Sequence, residues 1–289
     1  MQHLAIRTIV GLEEVEITRP GYAVEYDYCP TWQIKDSLET RRVAGLFFAG
    51  QINGTSGYEE AAAQGLIAGI NAVLLIEKEP PLILDRSEAY IGVMIDDLVT
   101  RSVTEPYRMF TSRAEYRLAL REDNARDRLF GHASRLGLIP KEDHRHFEDL
   151  QQRTDREVAS LASTHIKVAE LGSLAERFKN TEVVTLANLL KMPGVGLREV
   201  QPIIARYDGR FSQDPEVLER AAVQIRYEGY IAKQEREIEK FRKLERERIP
   251  DSFPYDTVNG LRTEARQKFA RFKPSSLGQA GRIEGVTPA

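Results

Sequence analysis

The densest concentration of usable chemistry is the run Gly50-Gln51-Ile52-Asn53-Gly54-Thr55-Ser56-Gly57, which continues through Tyr58-Glu59-Glu60 to Gly65. The apolar segment from Gly45 to Gly50 reads as a buried strand of parallel type. A helix is expected from Tyr58 to Ile76, with Glu59 and Glu60 favourably placed in its first turn. A strand emptying into a Gly-rich turn that opens a helix aims unsatisfied backbone N–H groups and the positive helix end at one point. Glycines there let a ligand approach the backbone. Gly50, Gln51, Asn53, Gly54, Thr55 and Gly57 are therefore candidate ligand contacts. The spacing lacks the Gly-Lys-Ser/Thr of a phosphate-binding P-loop. A close helix–sheet contact without a ligand would use the same pattern. The small residues Ala61, Gly65, Ala68, Gly69 and Ala72 suggest tight packing on something flat.

The second candidate is an arginine stripe. Between Arg101 and Arg128 the chain carries arginines but no lysine, with Tyr107, Phe110 and Tyr116 interleaved. Ser112 to Glu115 fits a capping box, so a helix is predicted from Arg113 to about Leu120. On that helix Arg113, Arg117 and Arg121 would share a face, with Arg108 just upstream. Guanidinium forks suit phosphate oxygens, and a solvated face paired with Glu105, Glu115, Glu122, Asp123 and Asp127 is the competing reading. A third signal is Lys191-Met192-Pro193-Gly194-Val195-Gly196, a turn that could present amides to a nucleic-acid phosphate or simply join two helices. Asp96-Asp97 should not form a proton-sharing dyad, because adjacent helix positions point apart, and surface or cap roles are expected. Cys29, before Pro30, has no local cation to activate it and reads as inert.

These residues must be held by elements, and composition bounds what those can be. The chain has 289 residues, enough for roughly two domains. Its 41 Lys+Arg against 44 Asp+Glu give a net charge of -3, which excludes binding nucleic acid by bulk charge alone. One cysteine excludes an intrachain disulfide, and five scattered histidines suggest no metal site. The apolar stretch Ala61–Ile76 falls short of the roughly 20 residues of a membrane span. No signal peptide is read at the N-terminus, so a cytoplasmic location is expected.

Three zones follow. Residues 1–81 mix strand signals, at Val15–Ile17 and Tyr22–Tyr26, with the strand–turn–helix. Residues 82–151 read as helical and arginine-rich. Residues 152–289 read as all helical, with helices at Gln152–Ala162, Glu182–Leu190 and Glu216–Ile249. In the last of these Tyr227, Tyr230, Ile231, Gln234, Ile238, Phe241 and Leu244 form a narrow seam.

Several long stretches together resemble the MnmG (GidA) family of FAD-dependent tRNA uridine 5-carboxymethylaminomethyl modification enzymes. They are Arg19 to Asp27, Gly45 to Gly65, Glu105 to Leu118, Tyr227 to Ile231, and Leu277 to Ala289. The resemblance implies a mixed α/β then all-α fold: a partial FAD-binding, Rossmann-like domain, then a larger helical C-terminal region. It implies that Gln51 contacts the flavin, that the helix beginning near Gly57 points at the isoalloxazine carbonyl, and that the arginine stripe faces tRNA. It further implies NADH and methylene-tetrahydrofolate as co-substrates, the GTPase MnmE as partner of the C-terminal helices, and a homodimer. The family's opening Gly-x-Gly-x-x-Gly, its inserted NAD(P)H-linked domain and its candidate nucleophilic cysteine have no counterpart in this sequence. The chain therefore reads as the C-terminal portion of a longer enzyme, inactive alone and with no assignable catalytic nucleophile. A non-catalytic nucleic-acid-binding module and a helical adaptor are the alternatives.

Overall fold

The computed structural model describes residues 1–22, 25–101, 105–178, 181–207 and 209–286. Among them ten α-helices and two short strands follow in order, with short 3-10 turns between them. Helices α1 (Gln2–Ile6), α2 (Tyr58–Glu77), α3 (Tyr90–Thr100), α4 (Ala125–Arg135) and α5 (Lys141–Ser163) come first. Strands β1 (His165–Lys167) and β2 (Val183–Thr185) precede α6 (Leu186–Leu190), α7 (Leu197–Ile204), α8 (Pro215–Arg246), α9 (Thr263–Phe272) and α10 (Leu277–Arg282). The chain is mostly helical. It forms two compact units, one of Met1–Leu82 with Asp97–Arg108, the other of Ile83–Asp96 with Met109–Ala289.

In the first unit α2 is the organising element. It begins after Gly57 and stops at Lys78, whose left-handed backbone closes the last turn ahead of Pro80 and Pro81. Its buried stripe is Glu60, Gln64, Ile67, Ala68, Asn71 and Leu74, at the three- and four-residue steps of one helix face. Asn71 donates to the carbonyls of Ser37 and Leu82 and accepts from the Leu82 amide, so it fixes both a loop and the departing chain. The small-residue face departs from expectation. A side chain at Gly65 or Gly69 would meet nothing within 4 Å, and Leu66, Val73 and Ile76 are exposed. By length and composition α2 could cross a membrane, which corrects the shorter estimate. Its buried, hydrogen-bonded Gln64 and Asn71 are nonetheless those of a helix packed into a protein.

The expected strands are absent among the described residues of this unit. Val15–Ile17 forms no ladder, and of Tyr22–Tyr26 positions 23 and 24 lie outside the described residues. Of Gly45–Gly50 only Gly50 is buried, and the pairing is not parallel. Thr40 and Phe48 donate to the carbonyls of Leu46 and Leu38, and a single antiparallel bridge joins Glu39 to Phe47. The carboxylate of Glu39 accepts the Gly45 amide, which together with Lys35 holds it below the usual carboxylate range. A tight loop thus replaces the strand.

In the second unit α5 packs along α8, with α6 and α7 closing the core. Leu161, Ile166, Leu186, Leu190, Val200, Ala221 and Ile225 fill it. The all-helical expectation fails at Glu182–Leu190. The β-branched Val183, Val184 and Thr185 pair antiparallel with His165–Lys167, and Thr185 then caps α6 by accepting from the Asn188 amide. Helix α8 matches its predicted extent closely: Asp214 caps it, Pro215 occupies its first turn, and it ends at Arg246. Its buried residues cluster in the first half, from Val217 to Ile225, and of the predicted seam Ile238 is buried while Tyr230 and Leu244 stay exposed.

Candidate functional site

The Gly-rich turn is built around Gln64, a residue the sequence placed on the helix but not in the site. Its side chain is fully buried. Its Oε1 accepts from the Gly50 amide at 3.1 Å and from Asn53 Nδ2 at 2.8 Å. Its Nε2 donates to Thr55 Oγ1 at 3.0 Å and to the Glu60 carbonyl at 3.2 Å. Asn53 also reaches the Phe48 carbonyl. Asn53 and Thr55 are therefore buried supports rather than exposed contacts. The signal that could have found Gln64 is its amide on the same helix face as Ile67, Ala68 and Leu74.

The backbone follows from this network. Gly50 and Gly54 adopt left-handed conformations, with φ of 81° and 79°, open to glycine at little cost. Tyr107 clamps the turn: its amide donates to the Gly54 carbonyl at 2.8 Å and its hydroxyl to Asp97 Oδ2 at 3.0 Å. Gly57 sits where a Cβ would collide with the Glu60 carboxylate. That carboxylate takes Arg108 Nε at 3.1 Å.

Above the turn lies a cleft of about 320 Å³, lined by Tyr26, Tyr28, Gln51, Gly54, Ser56 and Pro106 among others. Gln51 is exposed at its rim. Aromatic and proline walls with one free amide suit the edge of a planar, polar ring system. Among the described residues the Oδ1 of Asn53 is buried with no hydrogen-bond partner, an acceptor in the turn still to be satisfied. The residues present thus fit a flavin ring in part. They supply no Gly-rich pyrophosphate cradle.

Cys29 lies beside the turn, its amide donating to the Ile52 carbonyl at 2.8 Å, and burial pushes its thiol up, away from the reactive thiolate. The adjacent aspartates point apart as expected, but neither is a surface or cap residue. Asp97 is buried against Tyr107. Asp96 binds Arg86 at 3.0 Å and Arg282 at 2.7 Å.

The arginine stripe is corrected most. Residues 111–113 form one 3-10 turn and no helix follows to Leu120. Glu115 does not close a capping box. Arg86 takes both its oxygens, at 2.8 and 3.3 Å, and also the Arg113 carbonyl. Ala114 and Leu120 are drawn into a cluster with Val93, which fixes the segment as an irregular loop. Arg113, Arg117 and Arg121 therefore share no helix face, and Arg108 belongs to the other unit. Arg121 is chelated by both oxygens of Asp123 and stacks over Tyr227 at 5.0 Å. Arg117 is exposed.

Comparison with known proteins gives this arrangement a context. Residues 1–80 match the family described as glucose inhibited division protein A. Residues 141–235 match the C-terminal helical domain, and 237–289 the C-terminal helical bundle, of the tRNA modifying enzyme MnmG/GidA. The chain belongs to the MnmG/GidA family. It is 50% identical over 288 residues to the tRNA uridine 5-carboxymethylaminomethyl modification enzyme MnmG of Geobacter metallireducens, covering 98% of this chain and 46% of that protein. The MnmG of Heliobacterium modesticaldum is 46% identical over 294 residues, again across 46% of its length. The solved GidA of Aquifex aeolicus, in its form II crystal, superposes with a TM-score of 0.81 at 42% identity over 99% of this chain and 45% of that one. The chain thus spans about half the length of the MnmG/GidA relatives it matches.

Proposed function

We propose that the chain serves in an FAD-dependent MnmG enzyme that, with the GTPase MnmE, installs the carboxymethylaminomethyl group on C5 of the wobble uridine of certain tRNAs. The observation that carries this reading is the resemblance along nearly the whole chain to proteins named for that activity. In this reading residues 1–81 are the returning part of a Rossmann-like FAD domain. Residues 82–151 face tRNA, and residues 152–289 carry partner binding. The enzyme works as a cytoplasmic homodimer with NADH and methylene-tetrahydrofolate as co-substrates. FAD, when bound, supplies the redox chemistry. Gln51 offers its amide to the ring edge, the left-handed Gly50 and Gly54 hold the turn open, and Gly57 starts the helix whose positive end faces the ring. Asn53 and Thr55 hold that turn through Gln64. Tyr26, Tyr28 and Pro106 line the cleft beside it. Arg108, Arg113 and Arg117 remain the candidate tRNA contacts, with Arg121 the weakest of the four because Asp123 already holds it.

The test is flavin retention. In the full-length enzyme Gly54→Val places a branched side chain on a left-handed backbone and should lower bound flavin per protein, read from visible absorbance. Gln51→Ala should do so more mildly. Full retention in a folded Gly54→Val protein refutes the placement of flavin at this turn.

A further inference from the structure

The Lys191–Gly196 turn is not used by the flavin site, and the structure gives it a groove. It joins α6 to α7, with Gly194 at φ 74° and open space where its Cβ would be. Val195 is buried and anchors the turn in the core. Opposite runs the exposed edge of α8, bearing Arg226, Tyr227 and Tyr230. Together they enclose about 540 Å³, with Leu118 completing the lining. Tyr230 is 64% exposed and presents its ring to solvent.

Charge in the groove is arranged around borrowed anions. Lys191 Nζ donates to Glu228 Oε2 at 2.6 Å, both side chains being largely exposed. The Gly196 amide donates to Glu199 Oε2 at 2.7 Å at the start of α7. Glu199 has Gly196 and its own amide, then Arg198 and Arg226, holding its carboxyl below the usual range. Arg226 Nη2 donates to the Val195 carbonyl at 2.7 Å, and Arg177 Nη1 to that of Pro193 at 3.0 Å. Lys191, Arg177, Arg198 and Arg226 thus surround one turn, and the carboxylates of Glu228 and Glu199 fill the anion places. The exposed Lys191–Glu228 pair contributes little to stability, so a phosphate exchanges for Glu228 at small cost, while at the Gly196 amide a phosphate would take over the cap that Glu199 supplies.

We infer that this groove binds an unpaired segment of RNA, with phosphates replacing Glu228 on Lys191 and Glu199 on the turn, and a base stacking on Tyr230. Basic groups tracking a backbone beside an exposed aromatic are the pattern of single-strand recognition. A double helix cannot splay a base onto the ring. The inference rests on the tRNA-modifying reading for the identity of the RNA, and on the groove alone for its location.

The experiment titrates the 289-residue chain with a labelled unmodified tRNA by fluorescence anisotropy at several salt concentrations. A short oligouridylate and an RNA duplex serve as further probes. Tyr230→Ala should weaken tRNA and oligouridylate binding by about 5- to 100-fold without changing the salt slope, and Tyr230→Phe should keep it. Lys191→Ala should lower the slope by about 0.7. Glu199→Gln and Glu228→Gln should each tighten binding, which no purely structural role predicts. If tRNA binds but these variants leave affinity unchanged, the groove is overturned while the tRNA reading stands. If the wild-type chain binds none of the probes, the groove is overturned too, and flavin retention still decides the family function. Preference for the duplex over the oligouridylate overturns the single-strand assignment.

Discussion

Gln64→Leu is the sharpest probe of how the turn is held. The substitution keeps volume and apolar contact but removes four hydrogen bonds: from Gly50 N–H, from Asn53 Nδ2, to Thr55 Oγ1 and to the Glu60 carbonyl. Asn53 retains the Phe48 carbonyl. The Gly50 amide and the Thr55 hydroxyl, both on buried residues, lose their Gln64 partner. Each buried group left unsatisfied costs about 1–3 kcal/mol, and leucine returns part of that through its own burial. The net loss should be about 2–4 kcal/mol. The single tryptophan, Trp32, lies in the same unit, so its fluorescence reports this part of the chain. With a urea m-value of about 1–2 kcal/mol/M for some hundred residues, the midpoint should fall by about 1–4 M. An unmoved midpoint would show that Gln64 does not organise the turn.

Arg117→Ala should lower the salt slope of tRNA binding by about 0.7 to 0.9. Arg121→Ala, which breaks a chelate with Asp123 and a stack on Tyr227, should lower the melting temperature and leave the slope alone. Both are read by anisotropy beside thermal melts. Glu157 is buried, and burial raises its carboxyl above the ordinary 4.5 although the Ser212 amide partly opposes this. A raised carboxyl disfavours the charged folded form, so its penalty grows as pH rises from near 4.5 through the folded value. Glu157→Gln should therefore melt higher than wild type at pH 7, with the gap closing towards pH 4.5. A gap that widens on acidification refutes the assignment.

Much of the helical frame was legible. The acidic first turn of α2 marks where that helix begins, and the three- and four-residue apolar steps from Tyr227 to Leu244 mark the span of α8. What was not legible was decided at long range. Glu115 looks like a capping residue until Arg86, 29 positions away, takes it. The sequence Val183-Val184-Thr185 reads as helix start until His165–Lys167 supplies a partner strand. Gly45–Gly50 looks like a buried strand because its composition is apolar, yet its ladder runs to only one short segment. At the turn the glycines announced themselves by type, whereas Gln64, which positions them, is one polar residue on a helix and shows its role only through its four bonds.

The Asp96–Arg282 pair spans 186 positions. With Arg282 Nη1 also on Glu245 and its guanidinium 4.8 Å over the Phe241 ring, it fastens α10 to α3 and the end of α8. During synthesis at about 5–20 residues per second, Arg282 is added roughly 10–40 s after Asp96. Until then Arg86, already made and ten residues away, is the cation at hand. Closing so long a loop costs about 2.5 kcal/mol more entropy than closing one of ten residues. The clasp is therefore a late event in the life of each new chain. Asp96 accepts from both cations in the finished fold, and only the pair with Arg86 is short enough in sequence to form before Arg282 is made.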